Sequence, residues 1–269
     1  MKRKIAILCS DDAHHRYLIC LLRSRFNIVA VAIEPAANQR RRLLHSKRYR
    51  DYVYSVYHSI RRKVTGLDAY RAAYFARSEE EPPPAKYKQL VVGWINDPSV
   101  VDLIRQAAPD LTVVMGTGIL RKELLEATGP MTVNVHGGYL PDYRGNHCFF
   151  FAIYDRAFDK IGSTIHFINS GIDTGDIVEV VVPLIYSTDT AETLYCRAEK
   201  LAIDRLVNWI DHFEKGGTLP RSPQLKKGRL CRTRDRKPRH DILMFIRRKL
   251  RLLVIPETLR VDTPMLPGQ

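Results

Sequence analysis

Met131-Thr132-Val133-Asn134-Val135-His136 alternates apolar and polar residues and stops abruptly at Gly137-Gly138. A period of two is the signature of a strand, so Val133 and Val135 face one side and Asn134 and His136 the other. Two glycines then end the strand, because they accept backbone angles closed to other residues. An amide and an imidazole therefore emerge together where a buried strand opens into a Gly/Pro loop. In open parallel sheets, ligands bind at that place, beyond the carboxyl ends of the strands.

A second such place follows. Gly162-Ser163-Thr164-Ile165-His166-Phe167-Ile168-Asn169 reads as a strand leading into Ser170-Gly171-Ile172-Asp173-Thr174-Gly175-Asp176, where Asp173 sits on a turn bracketed by Gly171 and Gly175. Ile177 to Ile185 is its expected antiparallel companion. Upstream, Lys4–Cys9, Asn27–Ile33, Gln89–Gly93 and Leu111–Met115 are short apolar strands. They are separated by helical patterns at His14–Phe26, from Pro98 to Ala107 and from about Arg121. Strands alternating with helices predict an α/β fold: a Rossmann-like, mostly parallel sheet with helices on both faces. Cys148–Phe158 and Thr190–Glu214 are expected helices, the latter with an apolar face from Leu194 to Ile210.

The two polar stretches resemble the signature of the formyltransferases that use 10-formyltetrahydrofolate, with Asn134-Val135-His136, Leu140-Pro141-Asp142-Tyr143-Arg144-Gly145 and Gly171-Ile172-Asp173-Thr174-Gly175-Asp176 at matching spacing. The match runs from about Lys88 to Lys215, more loosely over the first 35 residues. It implies catalytic roles for Asn134, His136 and Asp173. It also implies a pterin site around Met115, Gly116, Gly118, Ile119, Leu120, Leu140, Ile172, Gly175 and Asp176, and an acceptor side with Tyr139, Arg144 and His147. Formyl transfer to an amine passes through a tetrahedral oxyanion, which needs aimed donors and a group to take the amine's proton. An amide, an imidazole and a carboxylate suffice, with no metal. Two readings stay open for several neighbours: His166 as structural or as a partner behind the catalytic groups, His14-His15 as a helix cap or an acceptor contact, and Arg144 as a loop anchor or an anion ligand.

Charge divides the chain. Arg40–Lys63 carries +8 and Arg221–Arg251 carries +11 of a total of +14, leaving the remainder at −5. The first segment, with tyrosines among its arginines, reads as part of a helical insertion (residues 38–84) closed by Glu79-Glu80-Glu81-Pro82-Pro83-Pro84. The second lies in an extension (216–269) beyond a catalytic domain (1–215), with a basic-apolar helix around Asp241–Val254. Such segments hold a phosphate, nucleic acid or an anionic membrane surface, or are simply solvated. Five scattered cysteines with no C-x-x-C pair argue against a zinc site or disulfide framework and for a reducing, cytoplasmic setting.

The acceptor follows by elimination. The loop after the first strand, Cys9-Ser10-Asp11-Asp12, lacks phosphate-cradling glycines, which counts against a glycinamide ribonucleotide. Only 54 residues follow Lys215, fewer than the extra domain of the methionyl-tRNA enzymes needs. The expected substrate is a small amine, foremost an amino sugar on a nucleotide diphosphate. A methionyl-tRNA-type enzyme, a formyltetrahydrofolate hydrolase and a non-catalytic RNA-binding relative are the alternatives; no oligomeric state is readable.

Overall fold

The computed structural model describes residues 2–76 and 87–257. In chain order the elements are β1 (Lys4–Cys9), α1 (Ala13–Arg25), β2 (Asn27–Ile33), α2 (Ala36–His45), α3 (Tyr49–Val64), α4 (Leu67–Tyr74), β3 (Lys88–Val91), α5 (Pro98–Ala107) and β4 (Leu111–Met115). They continue with α6 (Lys122–Thr128), β5 (Thr132–His136), β6 (Tyr143–Gly145), α7 (Cys148–Tyr154), β7 (Ser163–Phe167), β8 (Ile177–Val181), α8 (Ala191–Glu214), β9 (Arg229–Cys231) and α9 (Pro238–Lys249). The acidic, proline-rich stretch expected at Glu79–Pro84 lies outside the described residues.

Seven strands form one sheet in the order β3-β2-β1-β4-β5-β7-β8. The first five are parallel, and β7 and β8 join antiparallel. Because the central strands are covered on both faces, their side chains are buried alternately to the two sides. Ile5, Ile7, Val113, Val133 and Val135 meet α1 and α8, whereas Ala6, Leu8, Ala30, Ala32 and Val114 meet α5 and its neighbours. Burying each such aliphatic side chain stabilises the fold by roughly 1.5–3 kcal/mol. The winding direction reverses between β1 and β4, opening a crevice beyond their carboxyl ends.

Several element ends differ from the sequence pattern for identifiable reasons. β8 stops at Val181 instead of reaching Ile185, because Pro183 has no N–H to donate to the ladder. α7 stops at Tyr154 instead of Phe158; Arg156 takes a left-handed backbone (φ 60°) that no helix continues. α9 begins at Pro238, where a first-turn proline loses no helical hydrogen bond. The insertion is three helices, broken at Lys47 (φ 56°) and Gly66 (φ 71°).

Apart from one antiparallel bridge between Ser222 and Ile177 of β8, neither basic segment joins the seven-stranded sheet, yet both are fastened to the body. β9 pairs in parallel with β6, and Cys231, Leu253 and Ile255 enter a third apolar core with α7 and the start of α8. Arg236 lies over the ring of Phe150 at 3.7 Å. The two segments also hold each other. Tyr57 donates to Asp241 Oδ2 (2.8 Å), His58 Nε2–H donates to the Thr233 carbonyl (3.1 Å), and Asp51 sits between Arg48 and Arg234. Among the described residues, no helix is long and apolar enough to cross a membrane.

Candidate active site

The loop after β5 folds back over its own strand. A Cβ at Gly138 would lie 2.5 Å from His136 Nε2 and 2.8 Å from the Tyr143 carbonyl, so only glycine fits there. Thr164 of β7 fixes the loop from below, donating to the Gly138 carbonyl (2.7 Å) and accepting from the Leu140 N–H (3.1 Å). Asp173 arrives on the turn between β7 and β8 in a left-handed conformation (φ 50°), with Gly145 N–H donating to its Oδ2 at 2.8 Å.

Three side chains chosen from the sequence meet here, joined by a fourth. His136 Nδ1 lies 3.6 Å from Asp173 Oδ2, and His166 Nε2 lies 3.6 Å from Asp173 Oδ1. His166 Nδ1–H donates to the Phe167 carbonyl (2.8 Å), which leaves Nε2 to accept from the Asn134 amide at 3.1 Å. His166 thus orients the Asn134 amide and keeps its second N–H free, the role of a partner behind the catalytic groups.

Electrostatics separate the acid from the base. Burial would raise Asp173, but His136 and His166, with the Gly145 N–H, outweigh it and hold the carboxyl well below the usual carboxylate range. Burial lowers His136, against the pull of Asp173, so the ring is neutral near pH 7. Its flanks are both acceptors, Asp173 at Nδ1 and the Tyr143 carbonyl 3.3 Å from Nε2. A proton taken up by this ring would be held on both edges.

These groups line a cavity of about 1690 Å³ that runs from the ends of β4 and β5 to α3 and α9. Met115, Gly116, Gly118, Ile119, Leu120, Ile172 and His147 line it too. Close approach at the two glycines is made by the chain itself. A Cβ on Gly116 (φ 70°) would sit 2.2 Å from His15 Nε2, and one on Gly118 would sit 2.7 Å from the Arg42 guanidinium.

Five of the sequence-chosen residues lie off the cavity wall. Tyr139 turns toward Lys160, whose ammonium lies 5.0 Å from its ring centre, because the loop is pinned to β7. Leu140 is buried behind that pin. Arg144 donates to the carbonyls of Ile172 and Gly228, so it anchors the loop. Gly175 is pressed against the Phe167 carbonyl, and Asp176 pairs with Arg221.

Other wall residues escaped the sequence reading. Glu199 of α8 is buried beside Gly137, bonded to Ser163 (2.8 Å), and burial pushes its carboxyl up to about 7. Also missed were Tyr195, which shares a 3.1 Å hydrogen bond with the His14 already considered, and Arg71, which pairs with Glu192. A glutamate one position from Ala198 on an apolar helix face was the available signal. Asp12, His14 and His15 lie close enough to hold a metal ion. Asp12 N–H donates to His15 Nδ1, however, which fixes the proton on Nε2 and leaves that atom a donor, unsuited to a cation.

The family model for formyl transferases matches residues 61–210, more than half of the chain and all four of these side chains. The chain belongs to the formyl transferase family. A methionyl-tRNA formyltransferase of Methylacidiphilum infernorum is 39% identical over 132 residues, which is 48% of this formyl transferase chain but only 40% of that relative. Among solved structures, a sugar N-formyltransferase from Shewanella superposes with a TM-score of 0.53 at 17% identity, covering 85% of this chain and 76% of that one. HypX from Aquifex aeolicus, solved with tetrahydrofolic acid, gives 0.50 at 15% identity, over 86% of this chain and 30% of that one. At these identities the structures speak to the fold alone.

Proposed function

We propose that the protein is an N-formyltransferase, moving a formyl group from 10-formyltetrahydrofolate to the amine of a small acceptor, foremost a nucleotide-linked amino sugar. The convergence of Asn134, His136 and Asp173 on one cavity, inside the family-matched region, carries this reading. As the amine attacks the formyl carbon, negative charge develops on the formyl oxygen. The second Asn134 N–H is the donor that stabilises it. Neutral His136 takes the amine's proton, and the ionised Asp173 stabilises the resulting imidazolium. The tetrahedral intermediate then collapses, and the folate nitrogen leaves with a proton. The donor's pterin fits the Met115–Leu120 edge and Ile172. The formyl transferase family match, with the use of 10-formyltetrahydrofolate that the resemblance implies, supports a folate donor.

Incubation with 10-formyltetrahydrofolate and a panel of amino sugar nucleotides tests the reading by mass spectrometry. A gain of about 28 daltons on one of them is the expected product, one formyl group replacing one hydrogen. Methionyl-tRNA belongs in the same panel because of the 39% identical relative. Formylation of tRNA alone would replace the sugar acceptor.

A lipid surface is a further proposed partner. α9 and the turn after it expose Ile242, Phe245, Ile246, Leu250 and Leu252 beside Arg239, Lys249 and Arg251, the pairing of apolar and cationic groups that anionic bilayers attract.

A further inference from the structure

The roof of the cavity, built by α3, the start of α7 and the C-terminal segment, contains polar groups that the reaction leaves unused. We propose that His58, Arg61, His147 and Arg236 form an anion subsite that takes a phosphate-type group of the acceptor. The proposal rests on the formyltransferase reading for calling its ligand the acceptor, but not for the anion itself.

Two buried atoms carry it. His58 is 2% exposed; its Nε2–H is spent on the Thr233 carbonyl, and its Nδ1 has no partner. Arg61, one helical turn further along α3, has a buried Nε with no hydrogen-bond partner, and no ion pair of Arg61 is found among the described residues. A buried Arg61 Nε–H left without an acceptor is a cost that a ligand oxygen would recover. All four side chains line the same cavity.

The neighbouring charges agree. His147 packs its ring 4.3 Å from that of His58, from a left-handed position (φ 59°) at the start of α7. Arg236 is 7% exposed and shares Asp241 with Tyr57. The groups facing His58 are therefore Tyr57 and Arg61 from α3, His147 from α7, and the Thr233 carbonyl, Arg236 and Asp241 from the C-terminal segment. Asp241 is the single carboxylate in that set. Burial, then Arg236, lowers His58 to about 4, and burial with Arg236, His58 and Arg61 lowers His147 well below its ordinary value. An oxyanion placed among them would reverse the electrostatic part and allow His58 Nδ1 to donate.

The subsite lies on the acceptor side. His147 precedes Cys148, whose Sγ is 3.7 Å from His136 Nε2, so an anion held here sits next to the reacting end of the cavity. A diphosphate joined to an amino sugar has this pairing of anion and amine.

Calorimetry on the full chain, with pyrophosphate, UDP and tetrahydrofolate as separate probes, tests the assignment. Arg61→Ala and Arg61→Gln should weaken pyrophosphate and UDP by about 10- to 100-fold, the value of one charge-assisted hydrogen bond. Tetrahydrofolate should bind both variants as it binds the parent, which also reports that they fold. Imidazole NMR should show the His58 and His147 rings titrating at higher pH once pyrophosphate is present. UDP binding more tightly than pyrophosphate assigns the anion to a nucleotide; equal affinity assigns it to a bare phosphate group. Unchanged anion affinity in both Arg61 variants, with the ring titrations unmoved, overturns the subsite. Loss of tetrahydrofolate binding instead would show that these cations hold the donor's carboxylates, and also overturns it. If the parent binds pyrophosphate but not tetrahydrofolate, the folate reading fails and the subsite stands.

Discussion

The floor and the roof of the cavity are both polar, and they are finished to different degrees. On the floor, Asn134, His166, Asp173 and Gly145 are bonded to one another or lie within ion-pair distance, held by the ends of β5 and β7. In the roof, α3 and the C-terminal segment hold each other through Tyr57–Asp241 and Asp51–Arg234, yet leave His58 Nδ1 and Arg61 Nε without partners. A site that stabilises a transition state gains from being arranged beforehand, whereas a site that selects a charged ligand gains from bonds left for that ligand to make. Catalysis on the floor and selection in the roof should therefore separate in experiment.

The largest effect should come from the floor. Asn134→Ala and His136→Ala should each lower turnover by about 100- to 10,000-fold, and Asp173→Asn comparably, since each removes an oxyanion donor or a proton-handling group. Binding of UDP should be little changed. A His136→Ala enzyme that keeps most of the parental rate would end the mechanism and the division of labour with it.

The donor end comes next. Tetrahydrofolate at about 100 times its Kd should stabilise the parent by about 2.7 kcal/mol, seen as a rise in melting temperature. Gly116→Val should abolish that rise, because the left-handed backbone excludes valine and its Cβ would meet the buried His15 ring. Gly118→Ala should keep most of it, since what blocks its Cβ is the flexible end of Arg42. Equal losses at the two positions would mean that the glycines serve the ligand and not the packing.

How far the floor was legible in the sequence follows from locality. Asn134, His136 and Asp173 stand on a period-two strand and a glycine-bracketed turn, so their direction is fixed by neighbours in the chain. Gly138 and Thr164 then complete a geometry that the motif spacing already implies. The sheet and its helices were legible for the same reason, and the errors there were ends set by single residues such as Pro183 after β8 and Arg156 after α7. The roof was not legible. His58 meets His147 and Thr233 across 89 and 175 residues of chain, and charge counts in each segment say nothing of that meeting. Tyr139 and Arg144 failed as wall residues because adjacency in a loop does not set which way a side chain leaves it.

Acid should separate the two regions more gently. His58 falls to about 4 and His15 to about 3, against about 6.5 in the unfolded chain. A depressed histidine means that the unfolded state binds more protons between those values. Stability is then complete above about pH 6.5 and declines as pH falls toward the folded values. Asp173 adds the usual carboxylate loss, but only below its unfolded value near 3.9. Urea unfolding at pH 7 and pH 5 should show the decline, and His58→Gln, which can still donate to the Thr233 carbonyl, should lessen it. Pyrophosphate should also lessen it in the parent. A slope that His58→Gln leaves unaltered would move the proton uptake elsewhere.

The smallest effect concerns the outer surface of the roof. Removing the chain beyond Arg239 would be a poor probe of lipid binding, because Leu253 and Ile255 sit in the core against α7. Single changes on the open side of α9 avoid this. Phe245 is 65% exposed and Ile242 59%, while the helix's inner side spends Arg247 on the Tyr154 ring and Arg248 on the Asp189 carbonyl. Ile242→Asp should therefore leave the melting temperature nearly unchanged. It should reduce co-sedimentation with anionic vesicles by removing an apolar anchor and adding repulsion. The reduction should be greatest at low salt, where the screening length exceeds about 10 Å. Tetrahydrofolate and pyrophosphate should bind the variant as before, since Ile242 does not line the cavity. If the parent itself ignores anionic vesicles at low salt, α9 has no lipid partner. The cations facing the cavity would then be the part of the roof's charge with an assigned ligand.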